Sequence, residues 1–306
     1  MELIGVYENL VDHGKVKEAA EFLESALHQY PDYICEITST LAETYVQLGD
    51  FDKALTTYER GLSQRIFYSI HPHAQEKIPF EYTDRFTKIE NENNRLKELA
   101  QAESKAKYEV VEPAEYSGEV YPLFIILHGG GSSIEIAKMF WKSEMLHQFL
   151  RGFIQSSEVD SSVGFTWWKR IPQGREDIKE CYSKIIDKYP VDTEKIIIGG
   201  FSVGGSMAID CVLNNIIPVK GFIGGCPGKP ERFNKEKVEK AAERNIKGVM
   251  IGGENDYYRK YQEEMAEVFK ETGFNHHYIV IPGLGHGVPQ NYSELIDEAI
   301  TYIMSP

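Results

Sequence analysis

The chain has 306 residues, of which 42% are hydrophobic and 12% aromatic, so it is long enough for two domains and can bury a substantial core. Its 33 Lys and Arg residues stand against 47 Asp and Glu residues, which gives a formal net charge of −14. Such a charge repels phosphate backbones and anionic lipid surfaces, so nucleic acid is excluded as an expected partner.

The cysteines and the apolar runs indicate the cellular compartment of the protein. The four cysteines are scattered without the C-x-x-C spacing of metal or redox motifs, so we expect them to be reduced and structural. No apolar run approaches the length that a bilayer requires, and the N-terminus lacks a basic segment followed by an apolar core. We therefore expect a cytoplasmic protein with no membrane span.

The N-terminal region has helical periodicity and contains a repeat at a spacing of 35 residues. A turn glycine followed by small residues at helix crossings is typical of a helix-turn-helix unit. Residues 41–54 closely resemble a tetratricopeptide repeat, and residues 3–31 resemble one more loosely. The recurring residues are Gly14, Ala19, Leu23, Ala26 and Leu27, then Gly49, Ala54, Tyr58, Gly61 and Leu62.

Two such repeats cannot bury a continuous core alone. We therefore expect residues 1–83 to form a small all-α, tetratricopeptide-like domain that packs on the rest of the chain or on another subunit of a homo-oligomer. A peptide-binding groove is the alternative interpretation of the same repeats.

Two segments of different composition follow the repeats. His71-Pro72 and Ile78-Pro79 interrupt the helical periodicity and predict a loop, and His71 and His73 have no acidic or thiol partner at ligand spacing. We therefore expect no metal there. Charged residues dominate 84–107, which predicts a solvated helix connecting two domains.

From Tyr108 onward, strand patterns alternate with helical patterns to the end of the chain. Tyr108–Pro113 predicts an edge strand, and the apolar run Tyr121–Leu127 predicts a strand buried on both faces. Regular alternation predicts a mostly parallel sheet with helices on both faces, an α/β fold over residues 108–306. The other predicted strands are 152–155, 196–198, 220–223, 248–251 and 277–281, and the predicted helices are 133–150, 173–189, 206–213, 231–244, 258–272 and 293–303.

Glycine-rich segments with polar residues directly follow four of these strands. In open α/β sheets active sites form beyond the carboxyl ends of the strands, so we expect these segments to meet. In chain order the segments are His128-Gly129-Gly130-Gly131, Gly200-Phe201-Ser202-Val203-Gly204, Gly252-Gly253-Glu254-Asn255-Asp256 and Gly283-Leu284-Gly285-His286.

The second segment is a G-x-S-x-G sequence between a buried strand and a helix. Such a turn is tight enough to hold Ser202 in a strained backbone conformation. Gly200 and Gly204 lack a Cβ, which lets the flanking segments approach closely. The backbone N–H of Val203, at the start of the helix, is expected to face the place where a negative oxygen would form.

Each of the four segments directly follows a predicted strand. With this arrangement, residues 108–304 resemble the α/β-hydrolase superfamily. The run from Tyr108 to Gly131 resembles its phospholipase/carboxylesterase branch. The resemblance implies that Ser202 is the nucleophile, His286 the base and Asp256 the orienting acid. Glu254 is the alternative acid, but Asp256 occupies the position where the family places it.

The resemblance also implies an oxyanion hole, made by the backbone of Val203 and of Gly130 or Gly131. The chain is too short between residues 223 and 251 for a large cap domain, so we expect the loop 156–172 or the N-terminal helices to cover the cleft. Aromatic residues near a cleft commonly bind apolar groups, so Trp167 and Trp168 are candidate substrate-binding residues, with packing between domains as the alternative.

These residues predict a serine carboxylesterase-type hydrolase that cleaves a small-molecule ester through an acyl-enzyme on Ser202. The chemistry needs neither a metal nor an organic cofactor. Two alternatives stay open. The same triad also cleaves amides, as in a serine peptidase, and an inactive hydrolase fold can serve as a scaffold whose repeats bind a protein partner.

Overall fold

The computed structural model describes residues 2–70, 75–113 and 119–306. The chain divides into a helical unit, Met1–Glu103 with Val159–Val163, and a sheet unit, Ser104–Glu158 with Gly164–Pro306. The domain boundaries predicted from the sequence stay predictions. The loop predicted at His71 and His73 lies outside the described residues.

The helical unit repeats one helix-turn-helix arrangement. Gly14 and Gly49 both have left-handed backbone angles, with φ of 71° and 74°, which confirms the turn glycines expected from the repeat. Its last helix, predicted to be solvated, buries Phe86, Ile89 and Leu96 along one face. The helices are α1 (Glu2–Asp12), α2 (Val16–Gln29), α3 (Ile34–Leu48), α4 (Phe51–Ser63) and α5 (Thr83–Glu103).

The sheet unit is built on seven strands in the order β1-β3-β2-β4-β5-β6-β7. The edge strand β1 pairs with β3 in antiparallel fashion, and every other pair is parallel. The predicted α/β fold with a mostly parallel sheet is therefore confirmed. The strands are β1 (Lys107–Val111), β2 (Tyr121–Leu127), β3 (Leu150–Gln155), β4 (Val191–Phe201), β5 (Gly221–Gly225), β6 (Lys247–Gly253) and β7 (Asn275–Ile281).

Helices cover both faces of this sheet. Along β2, Leu123 and Ile125 belong to one buried cluster, whereas Phe124 and Ile126 belong to the other, so the strand is buried on both sides as predicted. The helices are α6 (Ile134–Phe140), α7 (Ile171–Lys188), α8 (Val203–Leu213), α9 (Lys235–Glu243), α10 (Arg259–Glu271) and α11 (Tyr292–Met304).

The helix predicted over residues 133–150 is wrong beyond its first two turns. α6 ends at Phe140, and a short 3-10 turn at Leu146–Gln148 leads into β3. The buried Trp141 packs on Phe124, with ring centroids 5.6 Å apart, and the Met145 N–H donates to Asp297 Oδ1 at 3.0 Å. Tertiary packing and side-chain hydrogen bonds thus replace the helical bonds that the periodicity predicts.

Two general expectations are tested by the structure. All four cysteines are free and buried, a position that agrees with the structural role expected of them. Within the described ranges, no helix is both long and apolar enough to cross a membrane.

Candidate active site

Ser202 lies at the sharp turn between β4 and α8. Its backbone angles, φ 55° and ψ −121°, are unusual for a residue with a side chain. The turn is held because the Ser202 N–H donates to Gly225 O at 2.7 Å and the Ser206 N–H donates to Ser202 O at 2.9 Å. The strained strand-to-helix turn predicted from the sequence is therefore confirmed.

The two glycines of the motif are required by close backbone contacts. A Cβ on Gly200 would overlap the backbone of Gly204. A Cβ on Gly204 would in turn overlap the carbonyl group of His128 and lie 2.7 Å from Leu127 O. The first turn of α8 therefore lies directly against β4 and the end of β2, as the sequence predicts.

Three of the predicted site residues form a continuous hydrogen-bonded chain. His286 Nε2 lies 2.9 Å from Ser202 Oγ, and His286 Nδ1 lies 2.9 Å from Asp256 Oδ1. A carboxylate can only accept, so the Nδ1–H donates to Asp256 and leaves Nε2 as the acceptor for the hydroxyl of Ser202. The strands β4, β6 and β7 thus deliver three side chains to one point.

Asp256 is kept ionised by its surroundings. Burial raises the pKa of its carboxyl group, but hydrogen bonds from Tyr258 N–H, Gln262 and His286 lower it, and the net result lies below the usual value. The Tyr258 N–H lies 2.9 Å from Oδ1, and Gln262 Nε2 lies 2.9 Å from Oδ2. Glu254, the alternative acid, is exposed and accepts instead from the Gly283 N–H at 2.8 Å.

Aromatic rings that the sequence analysis did not identify surround the imidazole of His286. Tyr257 stacks on it with ring centroids 4.3 Å apart, and Phe201 and Tyr258 lie at 5.3 and 5.5 Å. Burial raises the pKa of Tyr257 to about 12, so this ring stays a neutral phenol. The sequence did contain a signal for two of these rings, because Tyr257 and Tyr258 directly follow Asp256 in the chain.

The glycine run after β2 lies beside the nucleophile turn. A Cβ on Gly130 would lie 3.2 Å from Val203 Cγ2, and Gly131 has a left-handed φ of 63°. Val203 is the first residue of α8, where an N–H has no partner within the helix. The structure thus brings the residues proposed for the oxyanion hole together at the exposed end of the sheet.

His128 supports this loop instead of transferring protons. Burial lowers the pKa of His128 to about 4, so the ring is neutral at pH 7. Its Nδ1–H donates to Gly129 O at 2.6 Å, and its Nε2 accepts from the Ser156 N–H at 3.2 Å. Both nitrogens are therefore engaged in holding the loop.

The tryptophan pair has two different environments. Trp167 is 2% exposed, and its Nε1–H donates to His128 O at 3.0 Å, so it packs inside the sheet unit. Trp168 is 57% exposed. Both line a cavity of about 490 Å³ that also borders Val203 and Met207. Val203, which lines the cavity, directly follows Ser202 in the chain.

The loop 156–172 is anchored by one buried carboxylate. Glu158 Oε1 accepts from the Lys169 N–H at 2.8 Å, and Oε2 accepts from the Arg170 N–H at 3.0 Å. These bonds fix the segment that carries the two tryptophans. The stretch Val159–Val163 of the same loop belongs to the helical unit.

Cys226 borders the acid and the base. Its Sγ lies within 4.8 Å of ligand atoms of Asp256 and His286, which is the spacing of a metal site. Burial raises the pKa of Cys226 to about 12, however, and metals bind the thiolate. The protonated thiol donates to Gly287 O at 3.4 Å, so the arrangement favours a hydrogen-bond donor over a ligand.

The fold resembles that of α/β hydrolases. Residues 168–304 match the Phospholipase/Carboxylesterase family model, and residues 10–65 match a Tetratricopeptide repeat model. These matches confirm both resemblances inferred from the sequence and support hydrolase activity. The first match begins after the glycine run and does not include Gly130.

Solved structures share the fold. An uncharacterized protein from Bacillus cereus is 25% identical, with a TM-score of 0.57, 99% of this chain covered and 98% of that chain. Esterase PE8 is 18% identical, with a TM-score of 0.54 and coverage of 65% and 100%. A carboxylesterase from Mesorhizobium loti is 13% identical, with a TM-score of 0.54 and coverage of 67% and 97%. No curated protein matches the sequence.

Proposed function

We propose that this protein is a serine hydrolase that cleaves a carboxylic ester through an acyl-enzyme on Ser202. The observation that carries the proposal is the chain of two hydrogen bonds, each 2.9 Å long, from Ser202 Oγ through His286 to Asp256. The family match supports the same class of reaction.

Each residue has a defined part in the proposed reaction. His286 Nε2 removes the hydroxyl proton while Ser202 Oγ attacks the ester carbonyl carbon. The N–H groups of Val203 and of Gly130 or Gly131 stabilise the negative oxygen. The imidazolium then gives its proton to the alcohol oxygen as that bond breaks, and a water molecule, activated in the same way, releases the acid and restores Ser202.

Asp256 holds the tautomer of His286 that leaves Nε2 free to accept, and its negative charge stabilises the imidazolium that forms. Its lowered pKa keeps it ionised at neutral pH. The stacked ring of Tyr257 adds an attraction between its π face and the imidazolium.

The cavity beside Val203 is the proposed place for one side of the substrate. Its volume of about 490 Å³ is enough for a group larger than acetyl. Trp167, Trp168, Ile171 and Met207 give it an apolar wall, and the remaining lining includes the charged side chains of Lys169, Asp210, Lys229 and Glu231. We propose that the apolar wall takes the chain of an acyl group.

Reaction with a fluorophosphonate probe tests the proposal. The wild-type protein should be labelled covalently on Ser202, located by mass spectrometry, and should hydrolyse p-nitrophenyl esters. Ser202→Ala should show neither property, with a loss of about 10⁶ in kcat as in other triads. An unlabelled wild type would instead favour the inactive scaffold, and a panel of peptide amides beside the esters decides between peptidase and esterase.

The role predicted for the helical unit, the homo-oligomer and the cytoplasmic location stay predictions. Analytical ultracentrifugation of the full chain over a range of concentrations checks the oligomer. The tetratricopeptide match supports an interaction role without naming its partner.

A further inference from the structure

Gln262 is a buried amide in direct contact with the acid of the proposed triad. It lies on α10 with its side chain 0% exposed. Its Nε2 donates to Asp256 Oδ2 at 2.9 Å and to Pro227 O at 3.2 Å. An uncharged polar group buried this completely must be fully hydrogen-bonded, and this one uses both of its N–H protons.

The orientation of this amide is determined by its neighbours. Asp256 Oδ2 and Pro227 O can only accept, so the nitrogen of Gln262 must face them. On the other side, Tyr278 OH donates to Gln262 Oε1 at 3.1 Å. Burial raises the pKa of Tyr278 to about 12, so the phenol keeps the proton that it donates.

The backbone leaves space for this amide. Gly252, near the end of β6, has no Cβ, and a Cβ there would overlap Oε1 of Gln262. A glycine is therefore needed at a position where any other residue would push the amide away from Asp256.

The hydrogen bonds of Asp256 divide between its two oxygens. Oδ1 receives the Tyr258 N–H and the imidazole of His286, and Oδ2 receives Gln262. The side chain of Cys226 is a further hydrogen-bond partner of Asp256. The bond from Gln262 to Oδ2 helps to set the rotation of the carboxylate that aims Oδ1 at the imidazole. From this geometry we propose that Gln262 is a positioning residue for Asp256, with Tyr278 fixing its amide. The inference rests on the proposed serine-hydrolase function.

The test compares Gln262→Met, which keeps the shape and removes both donors, with the wild-type full chain. Ester hydrolysis is measured from pH 5 to 9 and divided by the number of sites that a fluorophosphonate titrates. A lost hydrogen bond to a charged group should lower kcat per titrated site about 10- to 100-fold, with KM unchanged. The acid limb of kcat/KM should move to higher pH, because a carboxylate with one donor fewer attracts the proton on the neighbouring imidazole more strongly.

Two further variants separate positioning from packing. Tyr278→Phe leaves Gln262 in place and should shift the acid limb in the same direction by a smaller amount. Met265→Ala, in the apolar core one turn further along α10, should lower thermal stability while kcat per titrated site and the pH profile stay those of the wild type.

The outcomes distinguish the two levels of the proposal. If Gln262→Met keeps the wild-type kcat per titrated site and the wild-type acid limb, Gln262 has no positioning role. If Tyr278→Phe keeps both, Tyr278 does not fix the amide of Gln262. If the wild type neither reacts with the fluorophosphonate nor hydrolyses esters, the serine-hydrolase function fails and the inference fails with it.

Discussion

Gly130 lies against the side chain of Val203, such that a Cβ on Gly130 would be 3.2 Å from Val203 Cγ2. This contact joins the glycine run after β2 to the first residue of α8. Since the two backbones are the proposed donors to the oxyanion, their spacing should control transition-state stabilisation more than substrate binding.

Gly130→Ala should therefore displace one proposed donor. We expect kcat to fall about 10²- to 10³-fold with little change in KM. Steady-state kinetics with a p-nitrophenyl ester measures this. The matched control is the double variant with Val203→Ala, which removes the Cγ atoms that the new methyl group meets. If the double variant does not recover activity, crowding against Val203 is not the cause of the loss.

Asp256 and Glu254 lie two residues apart, and we expect substitutions at them to have opposite effects on kcat. Asp256→Asn places an amide where the His286 Nδ1–H needs an acceptor, which favours the wrong tautomer and should lower kcat about 10⁴-fold. Glu254→Gln keeps an oxygen for the Gly283 N–H and should keep the wild-type kcat. Measuring kcat per titrated site compares the two variants. A large loss of kcat in Glu254→Gln, with little loss in Asp256→Asn, would make Glu254 the acid.

Much of this arrangement follows from local sequence. A strand pattern that ends in glycine and a polar residue predicts which segments meet at one edge of the sheet. The resemblance to the α/β-hydrolase superfamily then implies the roles of Ser202, Asp256 and His286. The close contacts of Gly200 and Gly204 follow from the same tight turn.

Other features depend on contacts between distant segments. Gln262 on an amphipathic helix has no sequence signal that separates it from a surface residue, because its partners come from β7 and the segment after β5. Trp167 and Trp168 are adjacent, yet one is 2% and the other 57% exposed. Helical periodicity also failed after Phe140, where the packing of Trp141 overrides it.

His128 should make folding stability depend on pH. Burial lowers its pKa to about 4 in the folded state from an ordinary value of 6.5. Between these values the unfolded chain binds a proton that the folded chain does not, so stability rises with pH across this window. The contribution is complete above pH 6.5, and up to about 3 kcal/mol is lost as the pH falls to 4.

Urea unfolding of the wild type and of His128→Gln at several pH values between 4 and 7 checks this expectation. The free energy of unfolding should fall more steeply toward acid in the wild type, because the glutamine variant has no ring to protonate. Parallel curves would mean that the folded and unfolded chains bind the proton of His128 equally well, which contradicts the lowered pKa of His128.

Trp168 should affect binding of the acyl group more than the chemical step. Its exposed ring borders the cavity beside Val203. Trp168→Ala should raise KM about tenfold for an ester whose acyl chain fills the cavity, the equivalent of about 1.4 kcal/mol of apolar contact, with kcat retained.

The acetyl ester is the internal reference for this variant. We expect its two-carbon acyl group to leave most of the cavity unfilled, so its KM should stay the same. Trp168→Phe, which keeps an aromatic surface, should recover most of the affinity for the longer chain. An equal rise in KM for both esters would place the contact of Trp168 outside the acyl group and assign the cavity to the alcohol side of the substrate.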